Sequence, residues 1–173
     1  RFVWTSPDCR PIRSGVEPMQ TTIVTLESAQ QRLHLAPELG GAVTGWEWKS
    51  NDGWGALFRP WNGASPDRYT FACFPLVPWS NRISDGGFEH EGRFHPVERN
   101  REDEAYPLHG DGWLQAWQVD EHGNERMRLS LESKRHGGNP WHYRSTQTLG
   151  WKMRWGRCAA DGWMPSSSEA KIG

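Results

Sequence analysis

The sequence predicts an all-β protein, an antiparallel sandwich or a barrel-like pair of sheets. Three observations carry this. Apolar residues recur at every second position in several short windows, no window sustains a 3.6-residue apolar period, and Gly, Pro and Asn punctuate the intervals. Many short alternating segments bounded by turn residues indicate sheet packed on sheet.

Residues 1–18 hold Pro7, Pro11, Gly15 and Pro18 without periodicity and read as an irregular N-terminal extension, with Met19 a natural starting point. From Thr22 the period is two. Val24 and Leu26 alternate with Thr25 and Glu27, and Leu33 and Leu35 alternate with Arg32 and His34, giving two half-buried strands joined around 28–31. Residues 37–41 form a turn, after which 43–49 is extended again with Trp46 and Trp48 on one face. Asn51-Asp52-Gly53 is a hairpin turn signal, and 59–68, with Pro60, Gly63 and Pro66, is a loop. Gly86-Gly87 breaks the chain, and Phe88, His90 and Phe94 flank Glu91-Gly92 as a second hairpin. The charged run 98–104 reads as a solvated loop. Trp117 and Val119 open another strand. Met127, Leu129 and Leu131 alternate with Arg128, Ser130 and Glu132, the clearest strand in the chain. A further strand, 141–148, is set off by Gly137-Gly138-Asn139-Pro140.

From Gly150 the text changes. Alternation stops, Trp, Arg, Gly and Ser replace β-branched residues, and no Val occurs beyond Val119. Residues 150–173 read either as a genuine but unusual tail or as sequence from another reading frame, and composition favours the second. The domain expectation is therefore 1–18 extension, 19–149 sandwich and 150–173 atypical tail.

Composition narrows the function. At 173 residues, 35% hydrophobic, with mean hydropathy −0.82, the chain suits one domain, and its 12 Trp add apolar area that a residue count understates. A net charge of −1 provides no basic surplus for nucleic acid. Cys9, Cys73 and Cys158 are odd in number and widely spaced, which argues against a disulfide framework and points to a reducing, cytoplasmic setting. The seven His match no metal-ligand spacing, no run approaches a membrane span, and no phosphate-cradling Gly-rich motif is present. The expected partner is a small molecule, with no cofactor and no metal.

The stretch Cys73-Phe-Pro-Leu-Val-Pro-Trp-Ser-Asn-Arg-Ile83 organises the rest. Pro75 and Pro78 each fix φ and remove a donor, so this is a rigid extended loop rather than a central strand. It delivers an amide (Asn81) and a guanidinium (Arg82) beside an indole (Trp79), a combination suited to a polyhydroxylated ring. A second cluster, Pro107-Leu-His-Gly-Asp-Gly-Trp113, follows about two dozen residues later. Arg82 reads as a substrate contact or as a structural arginine on loop carbonyls. Asn81 reads as its neighbour or as a cap on its own turn, His109 as a sugar contact or an exposed loop residue, and Trp79 and Trp113 as stacking faces or core. Asp111 orients His109 or makes the turn, and the turn is the simpler reading.

Taken together, Pro-Leu-Val-Pro-Trp-Ser-Asn-Arg-Ile, Gly87-Phe88 and Leu108-His-Gly-Asp-Gly-Trp113 resemble the aldose 1-epimerase (galactose mutarotase) family over roughly residues 21–149. The resemblance implies a galactose mutarotase-like supersandwich, incomplete at this length. It also implies a carbohydrate isomerase that interconverts α and β anomers of a hexose. In that chemistry a base takes the anomeric hydroxyl proton and an acid protonates the ring oxygen. The ring opens to the aldehyde, C1–C2 rotates, and closure from the other face gives the second anomer. The resemblance assigns substrate contact to Arg82 and His109, with Asn81 beside them. Its later acid, a histidine in a His-Pro segment, and its C-terminal glutamate base match no position here. The catalytic groups are therefore unassigned. A non-catalytic carbohydrate-binding chain and a hexose-6-phosphate epimerase are the alternatives, and open sheet edges favour self-association.

Overall fold

In the computed structural model, residues 21–154, 157–159 and 168–172 are described. The extension predicted at 1–18, Met19 and parts of 150–173 lie outside them. Two four-stranded antiparallel sheets dominate. The first runs in chain order through β1 (Val24–Glu27), β2 (Gln31–Ala36), β3 (Ala42–Ser50) and β4 (Gly53–Phe58). A separate hairpin pairs β5 (Gly87–His90) with β6 (Arg93–Pro96). The second sheet holds β7 (Gln118–His122), β8 (Arg126–Lys134) and β9 (Trp141–Gly150). Beyond Gly150 the backbone forms β10 (Lys152–Arg154) and β11 (Arg157–Ala159), paired with each other, and β12 (Ser168–Ile172), antiparallel to β9.

Alternation in the sequence becomes alternation of faces. On β8, Met127, Leu129, Leu131 and Ser133 are buried while Arg126, Arg128, Glu132 and Lys134 are exposed. On β9, Trp141, Tyr143, Ser145 and Gln147 face inward. Leu26, Leu33, Leu35 and Val43 from the first sheet join these residues in one core, completed by Val77, Val97 and Trp117. Fully burying each large side chain contributes about 1.5–3 kcal/mol, so this shared layer is the main term holding the sheets together. Its inner faces pack as in a sandwich.

Two irregularities shape the region beside the motifs. Register shifts at His34/Leu35 and Trp46/Glu47 mark bulges that bend the first sheet. After β2, Pro37–Leu39 makes a single 3-10 turn that ends on Gly40 at φ 79°, and a Cβ at Gly40 would run into the Trp113 backbone. Gly is required there because the turn abuts the second motif directly.

The stretch 73–83 is extended without joining a sheet, as its prolines dictate. Its pairing is limited to isolated bridges, Val43 with Cys73, Val77 with Gly110 and Arg82 with Leu108. The run 98–104 departs from the solvated-loop reading in part. Glu98 and Glu102 are exposed, but Arg101 and Glu104 are only partly so: Glu104 pairs with Arg82 of the first motif, and Arg101 pairs with Asp67 and Asp103.

Candidate sugar-contacting site

The two motifs are zipped side by side. Ile83 N–H donates to Pro107 O (3.0 Å), His109 N–H to Asn81 O (2.8 Å), and Asp111 and Gly112 N–H both donate to Val77 O (3.0 Å each). Asn100 clamps the same loop from outside. Its amide nitrogen donates to the carbonyls of Leu108 (2.7 Å) and Gly110 (2.8 Å), and its Oδ1 accepts from Leu108 N–H (3.1 Å). Asn81 and His109 sit at φ 67° and 61°, in the left-handed region that non-glycine residues seldom occupy. Gly110 follows at φ 66°, where any side chain would overlap the Val77 carbonyl.

This arrangement brings Asn81, Arg82 and His109 together. The Asn81 backbone N–H donates to His109 Nδ1 (3.2 Å). Because that nitrogen accepts, the neutral ring carries its proton on Nε2, which is left to donate outward. Burial lowers the His109 pKa and the nearby Arg82 charge lowers it further, opposed in part by Glu104, so the ring is neutral at pH 7.

Arg82 is gripped by Glu104. Nε donates to Oε2 (2.9 Å) and Nη2 reaches both oxygens (2.7 Å), a fork geometry that fixes the guanidinium plane. These bonds raise its pKa above the already high arginine value, so it carries a permanent charge. The Arg82 side chain is 45% exposed, and its Nη1 has no hydrogen-bond partner among the described residues.

Aromatic rings complete the cluster. Tyr69 and Phe74 each lie 6.5 Å from His109, and both rest on Trp113 (6.0 and 5.7 Å). Arg101 stacks on Tyr69 at 4.2 Å while its guanidinium holds Asp103 and Asp67. Arg68 Nε donates to Trp113 O (3.0 Å), tying the loop that carries Tyr69 to the second motif.

The two tryptophans part company. Trp113 is 3% exposed, with its indole N–H donated to Gly110 O (3.0 Å), so it supports Tyr69 and Phe74 from below. Trp79 is half-buried and packs edge-on on Trp141 at 4.6 Å, against the main core. Tyr69, Phe74 and Glu104 carry no sequence signal for this position: Tyr69 lies between the segments with a local pattern, Phe74 in the proline loop and Glu104 in the charged run. The spacing to Arg82 that unites them exists only after folding.

Asp111 does not orient His109; as the turn reading expects, it opens the 3-10 turn Gly112–Leu114, with its carbonyl accepting from Leu114 N–H (3.1 Å), but its side chain plays a separate, buried role. It is 2% exposed and accepts from Tyr143 Oη, Asn139 Nδ2 (2.8 Å), Trp141 Nε1 (3.0 Å) and Gln115 Nε2 (3.1 Å). Burial and this carboxylate push the Tyr143 phenol far above its ordinary pKa, so it remains the proton donor. The loop thus turns His109 outward and anchors Asp111 inward.

Comparison with known proteins agrees with the motifs. The model of the aldose 1-epimerase family matches residues 22–150. The chain is 36% identical over 130 residues to the uncharacterized protein YphB of Escherichia coli K12, covering 74% of this chain and 41% of YphB. A crystal structure of a candidate aldose 1-epimerase from the same organism superposes with a TM-score of 0.66 at 34% identity, over 76% of this chain and 42% of that one. A GalM/aldose epimerase homologue from C. elegans aligns at a TM-score of 0.60 with 17% identity, over 76% and 42% of the two chains, and shows the shared fold. The chain spans about two fifths of the length of these relatives. On the family match and the shared fold, this chain belongs to the aldose 1-epimerase family.

Proposed function

We propose that this chain supplies the sugar-holding part of an aldose 1-epimerase site, binding a neutral hexose for interconversion of its α and β anomers. The observation that carries the reading is the Arg82–Glu104 pair set beside an outward-donating His109 Nε2–H, with Tyr69 as an aromatic face. A sugar ring offers hydroxyl oxygens to Arg82 and His109 and C–H faces to Tyr69, which is 40% exposed. The guanidiniums of Arg82 and Arg101 already hold carboxylates, which favours an uncharged sugar over a phosphorylated one. Three scattered cysteines support a cytoplasmic setting.

These residues hold the substrate still; they do not move its protons well. Arg82 is permanently charged and is no base, and Glu104 is neutralised by Arg82. His109 can donate one proton from Nε2, leaving the removal of the anomeric proton to water. General acid and base groups each contribute about 10²–10⁴-fold, so lacking one is severe. The test is polarimetry of freshly dissolved α-galactose with and without the 173-residue chain, beside a ligand-observed NMR titration. Binding without acceleration over the buffer blank is the expected result. Absence of binding overturns the reading. Acceleration abolished by His109→Ala would move proton transfer into this cluster.

A further inference from the structure

The segment 107–110 is held from two sides, and only one of them is backbone. In an antiparallel pairing, successive residues turn their N–H and C=O groups to opposite sides. On the first side Pro107 O accepts from Ile83 N–H (3.0 Å) and His109 N–H donates to Asn81 O (2.8 Å), about the bridged pair Arg82 and Leu108. The second side presents Leu108 N–H, Leu108 O and Gly110 O, and a single side chain meets all three. Asn100 Oδ1 accepts from Leu108 N–H (3.1 Å), and its Nδ2 donates to Leu108 O (2.7 Å) and to Gly110 O (2.8 Å). One amide stands in for a neighbouring strand, gripping the residue on each side of His109.

The residue type matters. An amide supplies two donors and an acceptor in one plane, whereas a carboxylate has no donor and a hydroxyl only one. Leu108 is 1% exposed and Gly110 is buried, so water is a poor substitute for Asn100 at their backbone groups.

We propose that Asn100 is a positioning residue for His109: by holding the carbonyls on either side of it, Asn100 keeps the ring's Nδ1 on Asn81 N–H and so leaves the ring proton on Nε2, facing outward. This rests on the reading of His109 as a sugar contact. Two features of His109 make it depend on such support. Its backbone sits at φ 61°, which a non-glycine residue keeps only where its surroundings enforce it. Its Nδ1 lies 3.2 Å from Asn81 N, at the long end of the hydrogen-bond range, so a small shift of the segment breaks the contact. The bond made by one ring nitrogen decides which nitrogen carries the proton, and losing it lets both tautomers form. Asn100 thus acts on the sugar-facing atom through the backbone.

The experiment records the ring nitrogen resonances of His109 in the full chain, which separate Nε2–H from Nδ1–H, beside a ligand-observed NMR titration with α-galactose. It is run at about pH 8, above the ordinary histidine value near 6.5, where the ring is neutral. Wild type should show the Nε2–H form alone. Asn100→Ala should mix the tautomers and weaken galactose binding about tenfold or more. Asn100→Asp keeps the shape and the acceptor but sets a carboxylate against two carbonyls, and it should do the same. Asn139→Ala removes a donor to Asp111 and serves as the stability control. It should lower the urea midpoint and leave tautomer and binding as in wild type. If Asn100→Ala does not fold, Asn100→Asp decides, and if neither folds, the wild-type ring decides. A wild-type ring carrying its proton on Nδ1 overturns the proposal. So does a ring that stays Nε2–H in both Asn100 variants, or one that mixes equally in Asn139→Ala. Tautomers that mix in the Asn100 variants, with no galactose binding by wild type, would uphold the positioning role and overturn the sugar reading of His109 instead.

Discussion

His109 and Asp111 stand two residues apart in one loop and do opposite jobs. Asp111 is turned inward, shielded from water, and surrounded by donors from Tyr143, Trp141, Asn139 and Gln115. His109 is turned outward beside Arg82 and Glu104, both of which solvent reaches. The inner face costs desolvation and repays it only while every donor is satisfied. The outer face contributes little to stability, because exposed ion pairs are screened. On the proposed reading, stability and sugar binding separate along this loop, and substitutions on its two faces should separate the same way.

The largest effect is expected at the inner face. Asp111→Ala strands buried donors that each cost about 1–3 kcal/mol when unpaired, so a loss of about 3 kcal/mol or more is expected, read from the urea midpoint. A small loss would mean that water replaces the carboxylate and that the loop is less closed than its geometry indicates. Next is Gly110→Ala, which forces a side chain onto the Val77 carbonyl at φ 66°. It should cost about 2 kcal/mol by the same measurement and weaken sugar binding, because it separates the two motifs that position His109.

The comparison also shows what sequence alone reveals. Period-two patterning located β2, β8 and β9 because one face of each strand is buried, and burial of one face is what writes alternation into a strand; in β3 the buried residues run consecutively over 42–45, so its alternation is weaker than its strand character. The hairpin turns at 51–53 and 91–92 were legible from Asn, Asp and Gly. Arg82 and His109 stood out through motif resemblance, and folding places them together. Tyr69, Phe74, Glu104 and Asn100 did not, since each gains meaning from a partner more than five residues distant. At Asp111 the turn is legible, but the buried role of its carboxylate is not, for a related reason. A short acidic residue between glycines favours a turn, and its donors lie in segments about 30 residues downstream.

At the outer face the effects fall on binding. Arg82→Ala and His109→Ala should leave the urea midpoint unchanged while weakening hexose binding about tenfold or more, measured by ligand-observed NMR. A parallel drop in stability would unite the faces that we have separated.

The pH dependence is smaller and follows from His109. Its folded pKa lies below the ordinary histidine value near 6.5, through burial first and Arg82 second. The unfolded chain therefore takes up the proton first. The contribution of His109 to stability is complete above about pH 6.5 and is lost as pH falls through the lowered folded value. Protonation also converts Nδ1 to a donor and breaks its bond from Asn81 N–H. Hexose affinity should be flat from pH 8 to about 6.5 and fall at lower pH, and His109→Gln should abolish that fall. The smallest expected effect is at Glu132, an exposed hub for Lys134, His142 and Arg144 on the outer side of the second sheet. Glu132→Gln should change neither binding nor the unfolding midpoint detectably.

The most direct test titrates α-galactose into wild type, His109→Ala and a Tyr143→Phe variant, reading binding by ligand-observed NMR and stability by urea unfolding on the same samples. Tyr143→Phe removes one donor to Asp111 on the inner face without touching the outer one. The account predicts that His109→Ala loses binding and keeps its midpoint, whereas Tyr143→Phe lowers the midpoint and keeps binding. Equal binding by wild type and His109→Ala would contradict the assignment of the outer face to the sugar.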